Sequence, residues 1–215
     1  MKKWLADFFG FRSDSKPHPE SLSETRAMAE FGVARAQLEL GCIYDMGVVV
    51  PEDLSEAIKW YRKAAEQGHA IAQRMLGEKF DRGQGVPEDQ SEAARWYRKA
   101  AEQGDTSAQI VLARRCEKSE SIHKSIHIVE AAKWYRKAAE QGDAYAQHSI
   151  GLKYTKGEGV PKDLALAHAW FNIACAQGHG LAQKNLADLE KQMTADQKAE
   201  AMKLAREMFE KMPKK

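Results

Sequence analysis

The nonapeptide WYRKAAEQG occurs three times in this chain, at Trp60 to Gly68, Trp96 to Gly104 and Trp134 to Gly142. A worn fourth copy, WFNIACAQG, runs from Trp170 to Gly178, and the spacings are 36, 38 and 36 residues. A fixed period of this length marks an array whose single unit cannot bury its own apolar face and must stack on its neighbours. No ordinary globular topology satisfies that constraint.

Each copy reads as the second half of a helix. Trp60, Tyr61, Ala64 and Ala65 fall at helical spacing on one face, with Arg62, Lys63 and Glu66 on the watered side. Gly68 stands where a helix ends in a left-handed residue, which glycine adopts without steric cost. Large rings beside alanines predict that the next repeat supplies the small residues the rings need. The rest of the composition agrees: alanine, leucine, lysine and glutamate are common, and alternating Val/Ile/Thr runs are missing. The expected class is all-α.

Charge excludes some partners. The chain carries 33 basic and 31 acidic residues, a net +2, so there is no global attraction to nucleic acid or anionic lipid. Three cysteines do not make a disulfide framework, and Cys116 and Cys175 replace core residues of the other copies (an aromatic and an alanine), which predicts a reducing, cytoplasmic setting.

Residues 1–19 stand apart from the repeat. Trp4, Leu5, Phe8 and Phe9 would line one side of two helical turns, but Asp7 breaks the apolar run a secretory signal needs. No stretch is apolar enough for a transmembrane span. This segment is an aromatic, basic tail and linker, and Trp4, Phe8 and Phe9 are its candidate docking residues. The repeat region occupies 20–215. It opens with a half-repeat, Ser21 to Gly32, where Ser21 and Glu24 suggest a capping box.

Every full unit then shows the same order. A first helix carries A-Q-x-x-L-G-x-x-Y, as in Ala36, Gln37, Leu40, Gly41 and Tyr44, and the mid-helix glycine predicts close approach of the paired helix. A loop G-x-G-V-P follows, complete at Gly83 to Pro87 and Gly157 to Pro161. The second helix opens on Asp53, Asp89 or Asp163, with Glu56 and Glu92 completing capping boxes. The third unit departs: its loop, SESIHKSIH, is two residues longer, lacks glycine and proline, and puts His127 at the cap position. Thr194 and Gln197 cap a closing helix.

By these residues the chain resembles the Sel-one-like repeat family, a relative of the tetratricopeptide repeats, from about Ser21 onward. The resemblance implies a right-handed α-α superhelix of about five helix-turn-helix repeats with an N-terminal half-repeat cap. It also implies first helices on the concave side and an adaptor role.

Signals for chemistry are weak. G-x-G follows a helix, not a strand, and recurs with the repeat, so it reads as structure and not as a phosphate cradle. His123 and His127 stand four apart with Cys116 upstream, a spacing that suits a metal, but there is no HExxH glutamate and His127 falls at a cap. No metal, cofactor or catalytic residue is assigned. Cysteine-rich relatives that act on β-lactams carry a cysteine pair per repeat, which this chain lacks.

The strongest functional signal is a basic ribbon on the first helices. Lys79, Arg82, Arg115, Lys118, Lys153 and Lys156 occupy positions 7 and 10 after the motif alanine in three successive units. Met75, Val111 and Tyr145 add apolar contacts. The resulting expectation is a scaffold that holds a partner protein or peptide, acidic or helix-forming, on its concave face. The rivals are a hydrolase acting on cell-wall or β-lactam substrates and a regulatory module switched by the N-terminal peptide.

Overall fold

The structure, a computed structural model, describes residues 19–47, 49–119 and 124–213. Trp4, Phe8 and Phe9 lie outside the described residues, as does His123. Among the described residues all regular structure is helical. The chain divides into two compact units, Met1–Asp105 and Thr106–Lys215.

The first unit contains α1 (Pro19–Glu30), α2 (Ala34–Met46), α3 (Leu54–Glu66), α4 (Ala70–Arg82) and α5 (Gln90–Glu102). Here α2 pairs with α3 and α4 with α5, while α1 lies on α2 and α3 on α4. The second unit contains α6 (Thr106–Lys118), α7 (Lys124–Glu140), α8 (Ala144–Lys156), α9 (Leu164–Ala176), α10 (Gly180–Glu190) and α11 (Ala195–Glu210). The pairs are α6 with α7 and α8 with α9, with α7 against α8; α9 then receives both α10 and α11. The closing helix thus folds back onto α9, burying Ala201 and Ala205.

Sequence accounts for most of these boundaries. Asp53, Asp89 and Asp163 cap α3, α5 and α9, accepting from Glu56, from Ser91 and Glu92, and from Leu166 backbone amides at 2.9 Å. Glu56 and Glu92 turn their carboxylates to Lys59 and Arg95, so the full reciprocal box forms instead at Thr194 and Gln197. Two expected caps shift. Helix α1 starts at Pro19, so Ser21 lies inside it; proline is well placed in a first turn, where its missing N–H costs nothing. Helix α7 starts at Lys124, so His127 sits within its first turn and not at its cap.

The mid-helix glycines have the expected reason. A Cβ on Gly41 would lie 2.6 Å from the Tyr61 ring, and one on Gly151 would lie 2.6 Å from Phe171. The paired helix sets a ring directly against the glycine. In the third repeat Ala113 takes this place, and it is fully buried.

Burial follows the repeat. Trp60, Trp96, Trp134 and Trp170 are buried, as are Tyr61, Tyr97, Tyr135 and Phe171 at the next position. Trp60 packs with Ala29, Ala36 and Leu40. Its small neighbour Ala29 comes from the preceding half-repeat, not the following unit, so α1 covers a ring that would otherwise be open. The motif lysine keeps to the watered side, exposed at Lys63 and Lys99 and half-buried at Lys137, and it also covers a ring. Lys63, Lys99 and Lys137 lie over the rings of Trp60, Trp96 and Trp134 at 3.9, 4.4 and 4.6 Å from the ring centroids, a cation–π geometry.

Candidate functional site

The residues that recur are consumed inside the units. Gln67, Gln103, Gln141 and Gln177 each donate to the motif glutamine of the same repeat (Gln37, Gln73, Gln109, Gln147) at 2.7–2.9 Å. Gln37, Gln73 and Gln147 in turn donate to the carbonyls of Ala29, Ala65 and Ala139 in the preceding second helix. The carbonyls near a helix C-terminus lack intrahelical donors, so a buried glutamine there satisfies a group that would otherwise be orphaned. These glutamines clamp one repeat to the next. The loop glycines are also structural: a Cβ on Gly85 would meet Leu54 at 2.7 Å, and one on Gly159 would run into the Ile128 carbonyl.

The basic ribbon divides by position. At position 7, Lys79 is 5 % exposed and Lys153 is 8 % exposed. Lys79 pairs with Asp45 of the preceding repeat at 2.5 Å. Lys153 lies between Glu117 at 2.7 Å and Glu158 at 3.1 Å. Burial works against its charge, but the two carboxylates outweigh this and its pKa is raised. Arg115, at the same position, is half-buried and engaged. Met75 is 1 % exposed and belongs to the core.

The expected exposure of Met75, Lys79 and Lys153 is therefore corrected, and the reason is geometric. Ala72, Met75, Leu76, Lys79 and Phe80 follow i, i+3, i+4, i+7, i+8, which is one apolar stripe on an α-helix. Positions 3 and 7 belong to the buried face. Only position 10 leaves it, and Arg82, Lys118 and Lys156 are exposed. Val111 is half-buried. Tyr145 is 42 % exposed, with its ring edge-on to Tyr135 at 6.3 Å.

Sequence reasoning missed what the position-7 cations meet. Position 9 of the preceding first helix carries an acid, and that acid also accepts the tyrosine of its own paired helix. Tyr61 donates to Asp45 at 3.0 Å, and Tyr135 donates to Glu117 at 2.7 Å. Burial, with the neighbouring thiol and carboxylate, holds the Tyr61 hydroxyl protonated far above its usual range. The same region pushes the Cys42 thiol up to about 12, chiefly by burial and against the Tyr61 hydrogen bond. The sequence did hold a signal for this. Asp45 and Glu117 stand 34 and 36 residues before Lys79 and Lys153, close to one period.

Two other features belong to the second unit. A cavity of about 450 Å³ is lined by Tyr154, Leu166, Trp170, Leu204 and Met208, with Arg136 donating to the Tyr154 hydroxyl at 2.6 Å. Cys116 on α6 and His127 and Glu130 on α7 bring their ligating atoms within 4.8 Å of one another, all three half-buried. No described helix is long and apolar enough to cross a membrane.

The array matches known proteins over most of its length. The Sel1 repeat family matches residues 34–69, 70–105, 107–143 and 144–179. A Sel1 repeat protein from Oxalobacter formigenes is similar at 32 % identity and a TM-score of 0.73, over 78 % of this chain and 48 % of that one. A protective antigen of uropathogenic Escherichia coli with an SLR fold, c5321, is similar at 31 % identity and a TM-score of 0.55, over 98 % of this chain and 52 % of that one. The chain thus spans about half the length of these two proteins. No curated protein matches. With four matched repeats, the glutamine clamp joining repeat to repeat and a ring seated on the mid-helix glycine of three of them, this chain belongs to the Sel1 repeat family.

Proposed function

We propose that the chain is a scaffold that holds a partner protein or peptide on the surfaces of its first helices, performs no catalytic step itself, and works in the reducing cytoplasm. Sel1 repeats generally serve as protein–protein interaction scaffolds. The observation that carries the reading is the division of labour within each first helix. Its recurring residues are spent on clamps and packing, while position 10 presents a cation in three repeats: Arg82 in the first unit, Lys118 and Lys156 in the second. Tyr145 adds an exposed aromatic surface in the second unit. A partner with acidic side chains is the complement. None of the three cysteines is joined in a disulfide, which supports the compartment.

Capture of partners by the full chain, compared with Arg82→Glu/Lys118→Glu/Lys156→Glu, tests the reading. All three positions are exposed, so the variant should fold normally. Specific capture should be lost in the variant, and in the native chain it should weaken with salt as the Debye length falls from ~10 Å at 0.1 M to ~3 Å at 1 M. A partner retained by the variant at low salt eliminates these cations. Turnover of a β-lactam or cell-wall substrate by the native chain would favour the hydrolase instead.

A second reading, in which the N-terminal peptide regulates access, has one observation in its favour. Met28, Phe31 and Val33 are 55 %, 90 % and 37 % exposed at the end of α1 and the turn after it, an apolar surface that Trp4, Phe8 and Phe9 would suit. Deleting residues 1–18 should then raise the affinity of the captured partner. Unchanged affinity refutes the switch.

A further inference from the structure

We propose that Cys116, His127 and Glu130 form a binding site for a zinc-type divalent cation that staples α6 to α7. The repeat itself brings these positions together. In the other three repeats the residue at the His127 position donates its backbone amide to the carbonyl of the residue at the Cys116 position. These bonds run from Asp53 to Tyr44, Asp89 to Phe80 and Asp163 to Tyr154, all at 3.0 Å. In those repeats the pair is an aspartate cap and an aromatic ring. In the third repeat both are replaced, and by a thiol and an imidazole.

Glu130 completes the set. It occupies the register of Glu56 and Glu92, three residues past the cap, and residues three apart share a helix face. Because α7 starts at Lys124, His127 is inside the first turn and its ring lies on the same side as Glu130. The three ligating atoms lie within 4.8 Å of one another. Zinc bonds of about 2.0–2.3 Å to nitrogen, oxygen and sulfur imply ligand-to-ligand edges of about 3.3–3.8 Å in a tetrahedron. Side-chain rotations closing the set by about 1 Å would achieve that.

The donor set selects the metal. A thiolate and an imidazole disfavour magnesium and calcium, which take oxygen ligands, and suit zinc. With three protein ligands, water fills the fourth place. Binding converts the Cys116 thiol to a thiolate and releases its proton to solvent, so affinity should rise with pH. The staple would serve the one repeat whose loop has no glycine, no proline and no aspartate cap. It would hold α6 to α7 in a repeat that lacks the side-chain cap found at the second helix of the others.

The test titrates the full chain, kept reduced with a phosphine, with Co²⁺ and then Zn²⁺. One equivalent of Co²⁺ should give a thiolate-to-cobalt charge-transfer band with tetrahedral d–d intensity, and Zn²⁺ should displace it. Bound zinc should slow alkylation of Cys116 at least tenfold, read at that peptide by mass spectrometry, while Cys175 is unaffected. Cys116→Ser should abolish the band, and His127→Gln should weaken Zn²⁺ at least tenfold. The alkylation measurement needs no variant, so it gives an answer even if a variant misfolds. No charge-transfer band, or Cys116 alkylated at the same rate under saturating zinc, overturns it. A band that persists in Cys116→Ser places the metal elsewhere and overturns it equally.

Discussion

Replacing Lys79 by methionine should be among the more destabilising single changes at any charged residue of the first unit. Its side chain is 7 % exposed and that of its partner Asp45 is 11 % exposed, so water screens the pair poorly. Removing one partner of a buried ion pair costs about 3–5 kcal/mol, because the other charge is left desolvated and alone. Asp45 is not quite alone, since Tyr61 still donates to it at 3.0 Å. A hydrogen bond to a charged group contributes about 1.5–3 kcal/mol, which lowers the expected loss to about 2 kcal/mol. Asp45→Asn in the same chain removes the stranded charge and keeps an acceptor for Tyr61, so the double variant should recover more than half of that loss. The exposed cation at the end of the same helix gives the comparison: Arg82→Met should stay within about 0.5 kcal/mol. Urea unfolding followed by both tryptophan fluorescence and circular dichroism reads all four proteins. A Lys79→Met loss below about 0.5 kcal/mol would mean the pair is screened like a surface one, and the assignment of position 7 to the buried stripe would fail.

Further consequences follow from the same geometry. Gly151→Ala gains about 1 kcal/mol of helix propensity but puts a Cβ 2.6 Å from Phe171; overpacking costs about 1–3 kcal/mol, so chemical denaturation should show a net loss, and a gain would show that the ring moves freely. Lys153→Glu should lower the unfolding midpoint while Lys156→Glu leaves it nearly unchanged, since only the first lies buried between two carboxylates; equal effects would contradict that placement. The raised pKa of Lys153 makes its contribution fully present below the unfolded value of about 10.5 and lost as pH rises through the folded one, so alkaline melts should show a loss that Lys153→Met lacks. Burial, and then the charge of His179, lower the pKa of His148, which stacks on His179 at 4.7 Å. Stability should therefore fall as pH drops below about 6.5, less steeply in His148→Asn.

The repeat unit, the class and most helix ends are legible in the order of the amino acids, because these depend on residues close in the chain. Asp53, Asp89 and Asp163 cap the helices they precede, and Gly68, Gly104, Gly142 and Gly178 end helices with φ of 81–95°. The glycine that admits a paired ring is also local, since Gly41 and Tyr61 lie within one hairpin. The fate of charges one period apart is set by packing between repeats. Lys79 and Asp45 are neighbours only once one repeat stacks on the next, and that contact turns an expected ligand surface into an internal clamp. The cluster of Cys116, His127 and Glu130 depended on where α7 begins. That start at Lys124 lies three residues before the cap position shared by the other repeats, in a loop with neither glycine nor aspartate to fix it. Helix ends are set locally where a capping side chain is present; where it is absent, packing against the partner helix sets them.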